Sequence, residues 1–517
     1  MQLKITILLV MIGVFIHANA SIHYVTQNGG GTFDGTSWSN AIPGTSLQNA
    51  IDNAGVGDEI WIASGVYVPT NGLDRSIAFS LKNGVSIHGS FSGIETVLSE
   101  RDLNSGLSTV FTGEIGVPGI LDNSYHVFSN NNLNNTAILE GCIISDAYDD
   151  RSPTTNEGLG GGIYNDGSGI GNECSPSVIN CIITNNSAAY GAGIFNNGYD
   201  GGNASPVLTN CVIVSNTAFL SGGGIDNFGL LGTANPTLSN CIVYRNSASL
   251  RAGGMYCWGG NNGSASPTVI NSVFILNEAT DGGGVVVDNL NASSGSSGIS
   301  NPTFTNCIIW ENTTTNEAPQ FMVLGTSNFN ATYTAVDLTN QMSPHVISGS
   351  GTGNVFSNPL FDAINLGEGV DGIWLTADDG LQLSEFSPCI NSGNNSVSLT
   401  SDILNNPRII ESQIDMGAYE FESTVSLAYY QGIAKSDLFP NPSTGEIYVD
   451  LPILTNEVYG LNVFSNSGRL IYKVDYPNLT EDSQTTHLDL SYLPAGSYTL
   501  IFEIQDEVIV HKLIITD

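Results

Sequence analysis

Ser175-Pro176-Ser177-Val178-Ile179-Asn180-Cys181-Ile182-Ile183-Thr184-Asn185-Asn186 is a phrase the chain writes five times. It returns as Ser205-Pro206…Asn210-Cys211-Val212-Ile213…Asn216 and as Asn235-Pro236…Asn240-Cys241-Ile242-Val243…Asn246. Two more copies follow, Ser266-Pro267…Asn271-Ser272-Val273-Phe274…Asn277 and Asn301-Pro302…Asn306-Cys307-Ile308-Ile309…Asn312. The Cys position, Ser272 in the fourth copy, recurs after 30, 30, 31 and 35 residues. A period of this size marks a repeat architecture in which each unit buries its face only against its neighbours. The repeat decides the fold and leaves the chemistry open.

Each unit carries a second apolar stretch behind a glycine cluster, as in Gly162-Ile163-Tyr164-Asn165, Gly193-Ile194-Phe195-Asn196, Gly224-Ile225-Asp226-Asn227, Gly254-Met255-Tyr256 and Gly284-Val285-Val286. Asn, Ser, Gly and Pro, the residues of turns and positive φ, fill the gaps. Short β-branched runs bounded by such turns predict strands, and no helical period is sustained in this region. A propeller or sandwich would also use strands at this spacing. Repetition of the identities themselves favours one coil of a parallel β-helix per unit, with equivalent residues stacked roughly 4.8 Å apart. Cys142, Cys181, Cys211, Cys241 and Cys307 then form one internal column. Asn186, Asn216, Asn246, Asn277 and Asn312 form an amide ladder at a turn, and Asn180, Asn210, Asn240, Asn271 and Asn306 a second. These residues are expected to be structural. The residue after the Cys is apolar in every copy (Ile182, Val212, Ile242, Val273, Ile308), although period 2 turns it outward. Either another segment covers it, with the protein's own loops the favoured cover, or it is an apolar outer stripe for a partner.

Composition sets the compartment. Lys4, an apolar run from Ile5 to Ile16 and Ala18-Asn19-Ala20 predict a secretory signal over residues 1–20, cleaved between Ala20 and Ser21. That run is too short to span a bilayer and no later stretch is long enough, so no transmembrane anchor is expected. Lys and Arg number 12 against 48 Asp and Glu, with no Lys between Lys82 and Lys435. Such a surface repels nucleic acid and has no basic patch to overcome the repulsion. Eight cysteines in an exported chain ordinarily suggest disulfides, but five share one phase of the repeat and are expected to be small buried thiols. Cys174, Cys257 and Cys389 lie off that column, and none has metal-ligand spacing.

On either side of the repeats, residues 21–135 read as an N-terminal cap and irregular first coils, with a short helix beginning after Ser46 as N-cap. Residues 136–345 are the regular coils and 346–421 a closing segment. The run Gly57-Asp58-Glu59-Ile60-Trp61-Ile62-Ala63-Ser64-Gly65-Val66-Tyr67, then Gly89-Ser90-Phe91-Ser92-Gly93…Glu95…Arg101-Asp102 and Asp122-Asn123-Ser124-Tyr125-His126-Val127, resemble exported right-handed parallel β-helix proteins of the pectin-lyase-like superfamily. The glycine-rich repeats also resemble the polymorphic outer-membrane protein repeats of bacterial surface proteins. Leu383-Ser384…Ser387-Pro388-Cys389-Ile390-Asn391-Ser392-Gly393, Asp402-Ile403…Asn406-Pro407-Arg408 and Ile414-Asp415-Met416-Gly417-Ala418-Tyr419-Glu420-Phe421 are similar to the pattern that ends many such surface helices. The resemblance covers about residues 21–421.

After a linker at 422–434, residues 435–517 form another module. Short strand-like runs at 446–451, 461–464, 470–476, 493–502 and 508–515 predict a small β-sandwich. Leu438-Phe439-Pro440-Asn441-Pro442-Ser443-Thr444-Gly445, Gly468-Arg469-Leu470, Leu493-Pro494-Ala495-Gly496-Ser497-Tyr498-Thr499-Leu500 and Lys512-Leu513-Ile514-Ile515 resemble the type A sorting domain of type IX secretion. That resemblance implies passage through the outer membrane by the type IX machinery. It also implies removal of the domain, and either attachment to surface lipopolysaccharide or release.

The superfamily contains polysaccharide lyases and glycoside hydrolases, but fold likeness alone assigns no chemistry. Its familiar hydrolase pattern combines Asn-Thr-Asp, Asp-Asp, Gly-His-Gly and Arg-x-Lys; this chain has Asp149-Asp150 and Asp378-Asp379 and lacks the other three. A lyase needs a base and cations for the uronate. The regular coils offer only Arg151, Arg245 and Arg251, of which the last two are placed to flank a groove or to sit solvated. Glu368…Asp371…Asp378-Asp379 gathers carboxylates and glycines in a loop suited to calcium, without EF-hand spacing. A plain acidic loop is the favoured reading, with a structural calcium at Asp371, Asp378 and Asp379 the alternative and no other cofactor expected. His23, His88, His126 and His345 have no partner in sequence. The expectation is a non-catalytic surface protein, an all-β right-handed helix followed by a sandwich, that binds glycans or other surface partners. The alternative is a carbohydrate-active enzyme whose acids lie in the loops at 146–166 or 371–379. Carboxylates converging in a groove on adjacent coils favour the enzyme; a smooth face of Asn, Thr and Ser favours display.

Overall fold

The computed structural model describes residues 20–422 apart from 107, 154–156, 291–297, 342–345, 349–350 and 411, and residues 437–516 apart from 451–457, 466–469, 476–484 and 505–506. Residues 1–19 of the signal, most of the linker, His345 and Gly468-Arg469 lie outside the described residues.

The period is one coil of a parallel β-helix. In a regular coil, strand Ser177–Ile179 is followed by Ile182–Thr184, Ser187–Tyr190 and Ile194–Asn197. The chain then sets Val207–Thr209 directly on Ser177–Ile179, in parallel register. Among the described residues the four strand positions build parallel sheets of twelve, nine, five and seven strands, called here the first to fourth sheets in that order. Asparagine makes the corner between the first two. Asn180, Asn210, Asn240, Asn271 and Asn306 all hold φ between 46° and 56°, the left-handed region that Asn tolerates better than other side chains.

Inward positions of three sheets meet in one core. Leu208, Leu238 and Phe304 come from the first, Ile213 and Phe274 from the second, and Ile225 and Met255 from the fourth. At the N-terminal end a helix, Leu47–Asn53, buries Leu47 and Ile51 in the same core. Ser46 does stand at its N-cap but makes no side-chain cap bond; Gly44–Ser46, a single 3₁₀ turn, leads into the helix instead.

The outward residues after the Cys column are covered, and the cover is the closing segment. The first sheet ends at Ile347–Ser348, and residues beyond 355 do not extend the stack but run back along its flank. Leu381, Leu383, Cys389, Ile403, Met416 and Tyr419 pack on Val212, Ile242, Val273 and Ile308 of the second sheet. Polar ties fix this strap. Tyr244 Oη donates to Ile364 O (3.1 Å), Asn240 Nδ2 to Ser401 O (2.9 Å) and Asn271 Nδ2 to Asp415 O (3.0 Å). Arg408, 1% exposed, pairs with Glu420 at 2.7 Å and donates to Asn240 Oδ1 at 2.8 Å.

The C-terminal module has two antiparallel sheets. One joins Asp437–Phe439, Glu446–Asp450 and Thr485–Asp489; the other joins Val458–Ser465, Leu470–Asp475, Gly496–Ile504 and Glu507–Ile515. Ile447 and Val449 of one meet Leu461, Leu500 and Phe502 of the other in a shared core, the sandwich predicted from the sequence.

Candidate functional site

The repeated polar residues are committed to the scaffold. Asn186 Nδ2 donates to Asn216 Oδ1 at 3.0 Å, Asn216 to Asn246 at 3.0 Å, Asn246 to Asn277 at 3.0 Å and Asn277 to Asn312 at 2.9 Å. Asn312 hands the ladder on to Gln320 Oε1 at 2.8 Å. The corner asparagines donate the opposite way along the helix: Asn210 to Asn180 and Asn240 to Asn210 at 3.0 Å, Asn306 to Asn271 at 3.2 Å. Arg408 fills the break between Asn240 and Asn271. Below Asn180, Glu140 accepts from Asn180, His88 and Arg101. Burial pushes Glu140 up, and the two bases outweigh it and hold it at about 2. A third amide ladder, not anticipated above, runs inside the fourth sheet from Asn130 through Asn165 and Asn196 to Asn227 and ends on Cys257 Sγ. Its signal was the Asn closing each Gly-Ile-x-Asn stretch. Cys142, Cys181, Cys211, Cys241 and Cys307 are buried free thiols. Cys211 Sγ, for example, reaches Val178 O on the preceding coil at 3.3 Å.

The sequence-marked acids are likewise occupied. Asp149 is bound by Arg151 (2.7 Å) and Asp150 by Arg75 (2.9 Å), and the two arginines sandwich the Tyr125 ring at 4.1 and 4.4 Å. In the strap loop, Asp378 Oδ2 accepts the Val370 and Asp371 amides and its Oδ1 the Thr376 hydroxyl; Asp371 Oδ1 accepts the Ile373 amide. Asp379 turns inward to Tyr419 Oη at 2.6 Å. Each of the three carboxylates serves hydrogen bonds of its own. Among the described residues no group of three or more His, Cys, Asp or Glu is disposed around a metal. Arg245 lies on the strap side, on Asn365. Ala20 and Ser21 are exposed, and the Ser21 amide donates to Asp58 Oδ1 at 2.8 Å.

What remains uncommitted is the outer face of the fourth sheet. Period 2 turns Ile163, Ile194, Ile225, Met255 and Val285 inward, so their successors face out. In register these are Tyr164, Phe195, Asp226, Tyr256 and Val286, and two residues further along Asp166, Asn197, Phe228, Trp258 and Asp288. All of these but the buried Val286 line the floor of a groove of about 800 Å³. One wall is the edge of the third sheet, with Tyr190, Ser221, Leu250 and Arg251; the other is a stack of loops carrying Ser168, Tyr199, Leu230 and Leu290. The loops stack through their backbones, Gly169 N to Tyr199 O (2.8 Å) and Leu231 N to Gly260 O (3.2 Å). The approach is close enough to require glycine: a Cβ on Gly232 would sit 1.8 Å from Gly198 O.

Rings run the length of the floor. His126 stacks on Tyr164 at 5.4 Å; Tyr164–Phe195, Phe195–Phe228 and Phe228–Trp258 follow at 6.0, 5.9 and 5.2 Å, with Tyr199 at 5.9 Å from Phe228. His126 accepts from Arg151 at Nε2, so its Nδ1–H donates to Gly160 O, and burial pushes its pKa down. Midway, Tyr256 Oη donates to Asp288 Oδ2 at 2.8 Å, and Arg251 Nη1 lies 3.4 Å from the same carboxylate. Beside Tyr256 in register stands Asp226, 1% exposed, with Oδ1 bonded to nothing; Arg251 Nε is also without a partner. Burial with no compensating donor or cation pushes Asp226 far above the usual carboxylate range. Of the sequence-marked residues the groove takes Arg251 and, from the acids of the 146–166 loop, Asp166. Asp226 stood in the quoted repeat with no role assigned, and the alternation that turns it outward was the available signal.

Among solved structures, the crystal structure of pectate lyase Pel9A is similar at 14% identity and a TM-score of 0.39, covering 78% of this chain and 96% of that one. No curated protein matches the chain. No helix among the described residues is long and apolar enough to cross a membrane. Residues 437–516 match the secretion system C-terminal sorting domain family, so the β-helix is a cargo of type IX secretion, exported to the cell surface or beyond.

Proposed function

We propose that the exported β-helix binds a glycan chain along the groove of the fourth sheet. The observation that carries this reading is the row of rings from Tyr164 to Trp258 on the floor of an 800 Å³ groove, with polar groups spaced between them. Ring faces take the apolar C–H faces of pyranoses, and a few convergent polar groups fix orientation. Affinity electrophoresis of the mature chain in polysaccharide gels tests it. Wild type is retarded by at least one glycan, and Trp258→Ala or Tyr199→Ala abolishes the retardation; equal mobility in every gel refutes it.

Asp226 and Asp288 on either side of Tyr256 favour a second reading, a glycoside hydrolase with the un-ionised Asp226 as proton donor. Reducing-end release by wild type and its loss in Asp226→Asn distinguish cleavage from binding alone.

A further inference from the structure

We propose that the groove accepts uncharged glycans and excludes polyuronates, with Asp226 acting as a hydrogen-bond donor to a sugar oxygen. This rests on the glycan-binding reading and adds the class of chain bound.

The first argument is the placement of charge. Among the residues lining the groove, Arg251 is the one base, against Asp166, Asp226 and Asp288. Arg251 is engaged with Asp288. The other bases near the groove lie at its Tyr164 end: Arg151 and Arg75 are held by Asp149 and Asp150 and stacked on Tyr125, and His126 has both ring nitrogens bonded, to Gly160 O and Arg151. A uronate needs a cation for each carboxylate it brings out of water, and the one cation lining the groove is already shared with Asp288, with only its Nε left unbonded, while two further acids line the floor. The whole chain carries a net charge of −36, which adds a repulsive field of the same sign.

The second argument is the orphaned oxygen. Asp226 is buried, lines the groove and has Oδ1 without a partner. No base contacts it; the cation nearby belongs to Asp288. A buried carboxyl in that position is stable as the acid, and an acid carries an O–H to offer. Tyr256 and Asp288 are already bonded to each other, so at this point of the floor Asp226 offers a free donor, beside the unbonded Arg251 Nε, and its complement is a hydroxyl or ring oxygen.

The test is affinity electrophoresis of the full mature chain against polygalacturonate, alginate, carboxyl-reduced polygalacturonate, xylan, β-glucan and mannan. Retardation by one or more of the uncharged polymers, with the uronates at least tenfold weaker, is expected. For the bound polymer, Asp226→Asn, which keeps a donor without charge, stays within about threefold of wild type, and Asp226→Ala loses tenfold or more. Uronates binding as tightly as uncharged chains overturn the inference and leave the glycan groove standing. So does an Asp226→Asn variant as weak as Asp226→Ala when circular dichroism shows both folded. Binding to none of the six refutes the glycan reading itself, and the inference with it.

Discussion

Replacing Asn216 by Ala removes the middle rung of a ladder, and the loss is traceable bond by bond. Asn216 is fully buried. Its Nδ2 donates to Asn246 Oδ1 (3.0 Å), Ile183 O (2.9 Å) and Val214 O (3.1 Å), and its Oδ1 accepts both Asn186 Nδ2 (3.0 Å) and the Asn186 amide (3.1 Å). After the change Asn186 Nδ2 still reaches Ile144 O and Thr184 O, and the backbone of residue 216 still donates to Asn246 Oδ1. The Asn186 amide loses its acceptor, and Ile183 O and Val214 O each lose a donor. One orphaned buried N–H costs about 1–3 kcal/mol, and with two weakened carbonyls the total is on the order of 3–5 kcal/mol. Native-state hydrogen exchange reads this at the rung itself: the Asn186 amide should exchange roughly 100- to 4,000-fold faster, since about 1.4 kcal/mol is tenfold. The urea midpoint should fall well below that of Thr268→Ala, an exposed control on the first sheet. Asn216→Asp keeps the acceptor but turns a carboxylate oxygen on Ile183 O and Val214 O, so it should be at least as damaging. Exchange within threefold of wild type, or Asn216→Asp behaving like wild type, would refute the ladder as a source of stability and leave it a by-product of stacking.

Gly222→Ala should destabilise by about 1–3 kcal/mol in urea unfolding and weaken glycan retardation, because φ is +69° and the new methyl strikes Asp226 Cβ at 2.7 Å and Ile225 O at 2.9 Å. The next coil holds Ala252 at the same corner with φ +55°, so the conformation alone does not demand glycine, and the tight contact with the Cβ four residues on recurs at Gly160 and Gly191. Burial pushes Asp379 up to about 7, against the pull of the Tyr419 hydroxyl and two backbone amides. A carboxyl raised in the folded state gives stability that is complete below its ordinary value near 4 and lost as pH rises through 7. The strap should therefore become more protease-sensitive between pH 4 and 8, by roughly 4 kcal/mol at the limit from Asp379, and Asp379→Asn should remove that share and leave that of Glu420, which burial and Asp415 push up to about 8. Deleting 437–516 should leave the β-helix folded and inside the cell envelope, scored by fractionation and protease shaving of whole cells.

The coil was legible because every unit repeats the same local instruction, an asparagine corner followed by a short β-branched strand. The strap was not. Its contacts join residues such as Tyr244 and Ile364, or Asn240 and Arg408, which lie 120 and 168 positions apart and share no repeat. The outward Val212, Ile242 and Val273 announced that something had to cover them, without naming it. The groove was illegible for the opposite reason. Its floor occupies outward columns where identities change from coil to coil, Tyr164, Phe195, Asp226, Tyr256 in one and Asp166, Asn197, Phe228, Trp258, Asp288 in the other. Repetition therefore drew attention to the scaffold and away from the variable positions. Asp149-Asp150 and Asp378-Asp379 stood out as adjacent acids, yet adjacent residues on a strand or tight loop point apart, and each found its own partner.

The helix treats its outer faces differently, and the difference bears on function. The first sheet turns out small residues such as Ser177, Thr237, Thr268 and Thr303, which water satisfies. The second turns out Val212, Ile242, Val273 and Ile308, and the chain folds back to bury them. The fourth turns out Tyr164, Phe228 and Trp258, each partly accessible, together with a carboxyl oxygen that has no partner, and no segment among the described residues lies on them. Partly wetted rings and an unbonded buried carboxyl both cost stability. The same chain shows that it can supply a cover, and the ladders inside need nothing from this face. The glycan proposed for the groove would offset that cost by covering the rings and meeting the unbonded Asp226 oxygen.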